Sequence, residues 1–101
     1  MSDMVIWSEN GLTVWTRRGE DGGFTILGQD LGPIAPGGRE YEYAITVAAT
    51  DVPAVVEALG GTPGADALVV VAANAETIVR AGELTWLKGL GVEPRFWSRA
   101  E

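Results

Sequence analysis

Five side chains close together are the strongest candidates for chemistry: Asp30, Glu40, Tyr41, Glu42 and Tyr43. Carboxylates and phenols move protons or hold hard cations when burial shifts their pKa values. Glu40 and Glu42, spaced i and i+2, would stand about 7 Å apart on one face of a strand. Two carboxylates without further oxygen ligands specify no metal site, so a solvated sheet face is the expected reading of the pair. Asp30 lies in Gly28-Gln29-Asp30-Leu31-Gly32 and could serve as a ligand or base, but an aspartate between glycines more often organises its own turn. The chain contains no cysteine and no histidine. Disulfides, thiolate nucleophiles, zinc-thiolate sites and Ser-His-Asp or Cys-His catalysis are thereby excluded. The glycine-rich segments 28–38 and 60–64 lack the Lys-Ser/Thr ending of a phosphate loop and the setting of a dinucleotide site, so no cofactor is implied.

Charge narrows the partners. Fourteen Asp/Glu against seven Lys/Arg give a net charge of −7, shared evenly between the two halves of the chain. That balance opposes binding to phosphate backbones and anionic lipid surfaces, which needs clustered Lys/Arg. Arg17-Arg18 is too small a patch to reverse it and reads as a solvated hairpin end. With 101 residues, 47% of them apolar, the chain is expected to form one domain over 1–101 with its own core. The start, MSDMVIWSE, has neither a basic n-region nor a cleavage site, and no apolar run nears the roughly 20 residues of a membrane span, so a cytoplasmic protein is expected.

The elements that must position these residues fall into two textures. Up to Thr50, short β-branched and aromatic runs alternate with turn residues: 5–7 and 12–16 around Asn10-Gly11, a strong hairpin signal, then 24–27, then 40–48 after a loop over 28–38. In 40–48, Tyr41, Tyr43, Ile45 and Val47 share one face by period two, with Glu40, Glu42 and Thr46 opposite. From Asp51 the period becomes helical. Asp51 as N-cap and Pro53 in the first turn open a helix with Val52, Val55, Val56 and Leu59 on one stripe, ended by Gly60-Gly61. A second helix is expected from the spacing of Leu68, Val71, Ala72, Ala75, Ile78 and Val79, although 68–71 alone would also suit a buried strand. Residues 83–88 add a last helical turn or two. A final strand over 92–98 follows, limited by Pro94, with Phe96 facing the helix-covered core beside Val92 and Pro94, and Trp97 on the polar side with Glu93, Arg95 and Arg99. The expected class is α+β: an antiparallel sheet of four or five strands with two or three helices on one face.

Four tryptophans are many for this length, and Trp anchors interfaces as well as cores. Trp97 is the expected anchor. The segments Gly28-Gln29-Asp30-Leu31-Gly32, Glu40-Tyr41-Glu42-Tyr43, Asp51-Val52-Pro53 through Ala58-Leu59-Gly60-Gly61, and Phe96-Trp97-Ser98-Arg99 resemble those of a family of short uncharacterised actinobacterial proteins, from which no activity transfers. Size and acidity are similar to those of immunity proteins of bacterial toxin systems. Two functions are therefore expected in order. The first is a non-catalytic protein-binding module, of immunity type, facing a toxin or other basic partner through Asp30, Glu40, Glu42, Trp97 and Arg99, with a homodimer as another use of the surface. The second is a small enzyme or ligand-binding domain with Asp30, Glu40, Glu42, Tyr41 or Tyr43 around a cleft beside the 28–38 loop.

Overall fold

A computed structural model describes residues 4–9, 11–30, 41–62 and 64–100. Strands β1 (Met4–Glu9), β2 (Leu12–Arg18), β3 (Phe24–Asp30), β4 (Tyr41–Val47) and β5 (Arg95–Ala100) form one antiparallel sheet in the order β1-β2-β3-β4-β5. Helices α1 (Val52–Ala58), α2 (Ala67–Ala73), α3 (Ala75–Ala81) and α4 (Glu83–Gly89) all lie between β4 and β5, after a 3-10 turn over Ala49–Asp51. The class is α+β. Glu40 and residues 31–40 as a whole, with Asn10, lie outside the described residues.

Period two settles which way each strand faces. Val14, Phe24, Ile26, Ile45 and Val47 project to one side and form a single core with Val55, Val56, Leu68, Val71, Ile78 and Leu87 from the helices. The β4 assignment holds: Ile45 and Val47 are buried. In β1 the register slips between Val5 and Trp7, so Ile6 is the extra residue of a bulge. A bulge lets neighbouring residues lean to the same side. Ile6 and Trp7, which strict alternation would set on opposite faces, both pack partly against the core.

Three expectations change. First, β3 runs on through Gly28-Gln29-Asp30, residues assigned from sequence to a loop, and pairs residue for residue with Tyr43, Glu42 and Tyr41. Second, the helix expected across 68–79 is divided into α2 and α3 at Asn74, giving four short helices instead of two or three. The Asn74 side-chain amide donates to the Val70 carbonyl at 2.8 Å, while the Asn74 backbone N–H turns to Val71. An asparagine bonded to its own helix competes with the backbone ladder and ends it. The 68–71 run is helical, as the longer pattern favoured.

Third, Phe96 lies on the helix side of the sheet but is 47% exposed. α2 and α3 pack over β1 and β2, at the far side of the sheet from β5, so the helical layer stops short of this edge. Truncation of Phe96 to Ala is accordingly expected to cost only about 1–2 kcal/mol, below the roughly 3–5 kcal/mol of a fully buried phenylalanine. Urea unfolding of the variant measures this directly; a loss in the core range would mean that Phe96 is covered in solution.

A polar clamp joins the layers. Asp66, the N-cap of α2, accepts from the Leu68 backbone N–H at 3.0 Å and holds Arg18 of β2 through a two-point contact at 2.8 and 3.2 Å. Asp51 stands at the N-cap of α1 as expected, yet its side chain makes no capping bond. The Arg18 guanidinium, helped by the backbone N–H groups of Leu68 and Val69, holds the Asp66 carboxyl below its ordinary value. A carboxyl lowered on folding contributes stability that is present above its unfolded pKa of about 3.9 and is lost as pH falls through the folded value. Asp66→Asn is therefore expected to flatten the fall in stability below about pH 4 relative to the unsubstituted protein. Parallel acid titrations followed by circular dichroism check it, and identical slopes would remove Asp66 from the acid response.

Candidate functional site

The residues singled out from sequence separate onto the two faces of the sheet. Glu42, Trp97 and Arg99 come together on the face turned away from the helices. Arg99 Nη2 contacts Glu42 Oε1 at 2.9 Å, and its guanidinium carbon lies 5.9 Å from the centre of the Trp97 ring. Asp30 is on the opposite, helix-side face, paired with Tyr41. Glu40 is outside the described residues.

On the helix-free face, the pairings Val5↔Trp15, Trp15↔Leu27, Leu27↔Ala44 and Ala44↔Trp97 align five apolar residues in a single row across all five strands. None belongs to the core. Val5 and Trp97 are each more than half exposed, and Trp15, Leu27 and Ala44 are half-buried. At about 4.8 Å per strand the row is roughly 19 Å long. Polar rows flank it: Arg17, Thr25, Thr46 and Arg95 on one side, Thr13, Gln29, Glu42 and Arg99 on the other. The Thr25 and Thr46 hydroxyls are hydrogen-bonded at 3.2 Å. Among the described residues these two rows carry Arg17, Arg95, Arg99 and Glu42. Glu42 stands in the polar row ending on Arg99, with which it is ion-paired.

The helix-side face carries the second candidate. Where the helical layer stops short of β5, an open cavity of about 340 Å³ lies between β4, β5 and the start of α4, lined by Asp30, Tyr41, Tyr43, Glu83, Leu84 and Phe96 among others. The Tyr43 hydroxyl donates a short hydrogen bond to Glu83 Oε1. Burial, and then the Glu83 carboxylate, push the Tyr43 phenol far above its ordinary value, so it remains a donor. Glu83 is buried, at 9% exposure. The Tyr43 ring covers Gly28 of β3, where a Cβ would overlap it. Glycine at this point lets the ring lie flat over the neighbouring strand.

Asp30, Tyr41 and Tyr43 are thus gathered as the second expected function required, while Glu42 is on the other face. Glu83 escaped the sequence reading because nothing local distinguishes it from a solvated first-turn glutamate. Trp15, Leu27 and Arg95 escaped it because their alignment with Trp97 depends on strand register. Among the described residues no three or more Asp or Glu converge as a metal cluster, and no helix is long and apolar enough to cross a membrane. No protein-family model matches the chain, and no curated protein and no solved structure matches it either.

Proposed function

We propose that this chain is a non-catalytic protein-binding module that docks its partner on the helix-free sheet face. The observation supporting this reading is the single row from Val5 to Trp97, apolar on every strand and bordered by arginines. A contiguous apolar strip with a polar rim and aromatic anchors is the chemistry of an interface core. Its length of roughly 19 Å matches about 13 residues of helix at 1.5 Å per residue, so an amphipathic helix laid across the strands would cover it. Arg95, exposed beside the row, favours acidic residues flanking that helix's apolar stripe.

Whole-chain acidity had favoured a basic partner, as for an immunity-type protein. On this reading a toxin qualifies only if the surface it presents is acidic and apolar. The sign of the partner is measurable. Glu42→Lys is expected to speed association at low salt and Arg95→Glu to slow it, both effects fading above about 0.5 M salt, where the Debye length is only a few Å. Partner capture from the native host with the unsubstituted chain and with Arg95→Glu/Trp97→Ala supplies the ligand for these rates. A partner retained undiminished by the double variant, or one slowed by Glu42→Lys, overturns the proposal.

A further inference from the structure

We propose that the cavity between β4, β5 and the start of α4 is a binding site for a small organic ammonium ion. It lies on the opposite side of the sheet from the docking face and stands independently of it. Its walls combine three aromatic rings, Tyr41, Tyr43 and Phe96, with two carboxylates, Asp30 and Glu83. The Tyr41 and Tyr43 ring centres are 6.0 Å apart with planes inclined at 36°, so they form a bent wall and not a closed stack. Ring faces attract a cation and carboxylates accept its N–H groups, and the pairing of the two defines an ammonium pocket.

Glu83 gives the site its sign. It is nine-tenths buried, and its one hydrogen bond among the described residues comes from a neutral phenol to Oε1. The phenol occupies one oxygen and supplies no opposite charge. Oε2 makes no hydrogen bond among the described residues, where no buried polar side-chain atom lacks a partner, so it is accessible, and Glu83 lines the cavity. A ligand N–H placed there would supply both a donor and the opposite charge. Leu12, Ile45 and Leu84 line the remaining wall and suit a short alkyl or aryl body. At about 340 Å³ the cavity is at the small end of ligand pockets, which favours a monoamine over a peptide or nucleotide.

The test uses n-butylammonium, with n-butanol as its uncharged counterpart and tetramethylammonium as a cation without N–H groups, each titrated into the full chain and followed by amide and side-chain NMR shifts. Butylammonium is expected to shift Glu83, Tyr43 and Phe96 resonances saturably, with butanol at least tenfold weaker. Glu83→Gln keeps an acceptor for Tyr43 and should weaken butylammonium at least tenfold, while Trp97→Ala on the other face leaves it unchanged. Asp30→Asn provides a second charge deletion should Glu83→Gln fold poorly. Tetramethylammonium binding as tightly as butylammonium would mean that the rings alone select the cation and would overturn the role of Glu83. Equal binding of butanol, an unaltered Kd in both charge-deletion variants, or no saturable shift below about 10 mM each overturns the proposal.

Discussion

Replacing Ile45 with Asp is expected to abolish folding. Ile45 is 1% exposed and sits in the middle of β4, paired with Ile26 on one side and Phe96 on the other. Its side chain belongs to the core that joins the sheet to all four helices. An aspartate there must either bury an unpaired carboxylate, at several kcal/mol, or fold protonated, and it also gives up about 3 kcal/mol or more of apolar burial. Domains of this size are stable by only about 5–15 kcal/mol in total. The expected result is a chain without cooperative thermal unfolding by circular dichroism. Thr46→Asp is the control, because Thr46 is the exposed next residue on the opposite face. A folded Ile45→Asp beside an unfolded Thr46→Asp would reverse the faces of the sheet.

Gly28→Ala is expected to destabilise the protein by about 2–4 kcal/mol, far more than one methyl group in a strand ordinarily does. The added Cβ would occupy the space of the Tyr43 ring. Moving the ring costs about 1–3 kcal/mol as overpacking, and it draws the Tyr43 hydroxyl away from Glu83, leaving a buried carboxylate short of its donor at about 1–3 kcal/mol more. A double-mutant cycle separates the two. In a Tyr43→Phe background the hydrogen bond is already gone, so Gly28→Ala should cost measurably less there, retaining only the steric part. Equal costs in both backgrounds would show that the ring moves without releasing Glu83, and a neutral Gly28→Ala would show that it does not lie over β3.

Sequence pattern was most informative where a local period met an obligatory core. Tyr41 through Val47 alternate so regularly that only one face can be buried, and β1 and β2, expected to pair as a hairpin, do pair, with Glu9 opposite Leu12. It failed where a residue's local character is overruled from a distance. Gly28 looks like the start of a loop, yet it lies in β3 opposite Tyr43, fifteen positions on, whose ring fills the space a Cβ would take. Asn74 interrupts an unbroken apolar period with a single side-chain bond. Phe96 was placed correctly by face but not by depth, since alternation gives a direction and says nothing of how far the helical layer reaches. For the candidate sites, Trp97 and Arg99 were legible as an exposed pair, whereas Glu83 meets Tyr43 only through a contact spanning forty residues.

The strand that closes the sheet contributes to both of its faces. β5 is an edge strand hydrogen-bonded to β4 alone, and nearly half the chain separates the two in sequence. Such an element opens at less than the global unfolding free energy, and its amides should be among the first in the sheet to exchange with deuterium. Phe96 borders the cavity on one side while its neighbour Trp97 ends the apolar row on the other. A single opening of β5 would therefore withdraw a residue from each of the two proposed sites at once. Ligands on the two sides would be coupled through β5 only in so far as its open state is populated, so a β5 that stays closed in the free protein leaves the two faces independent.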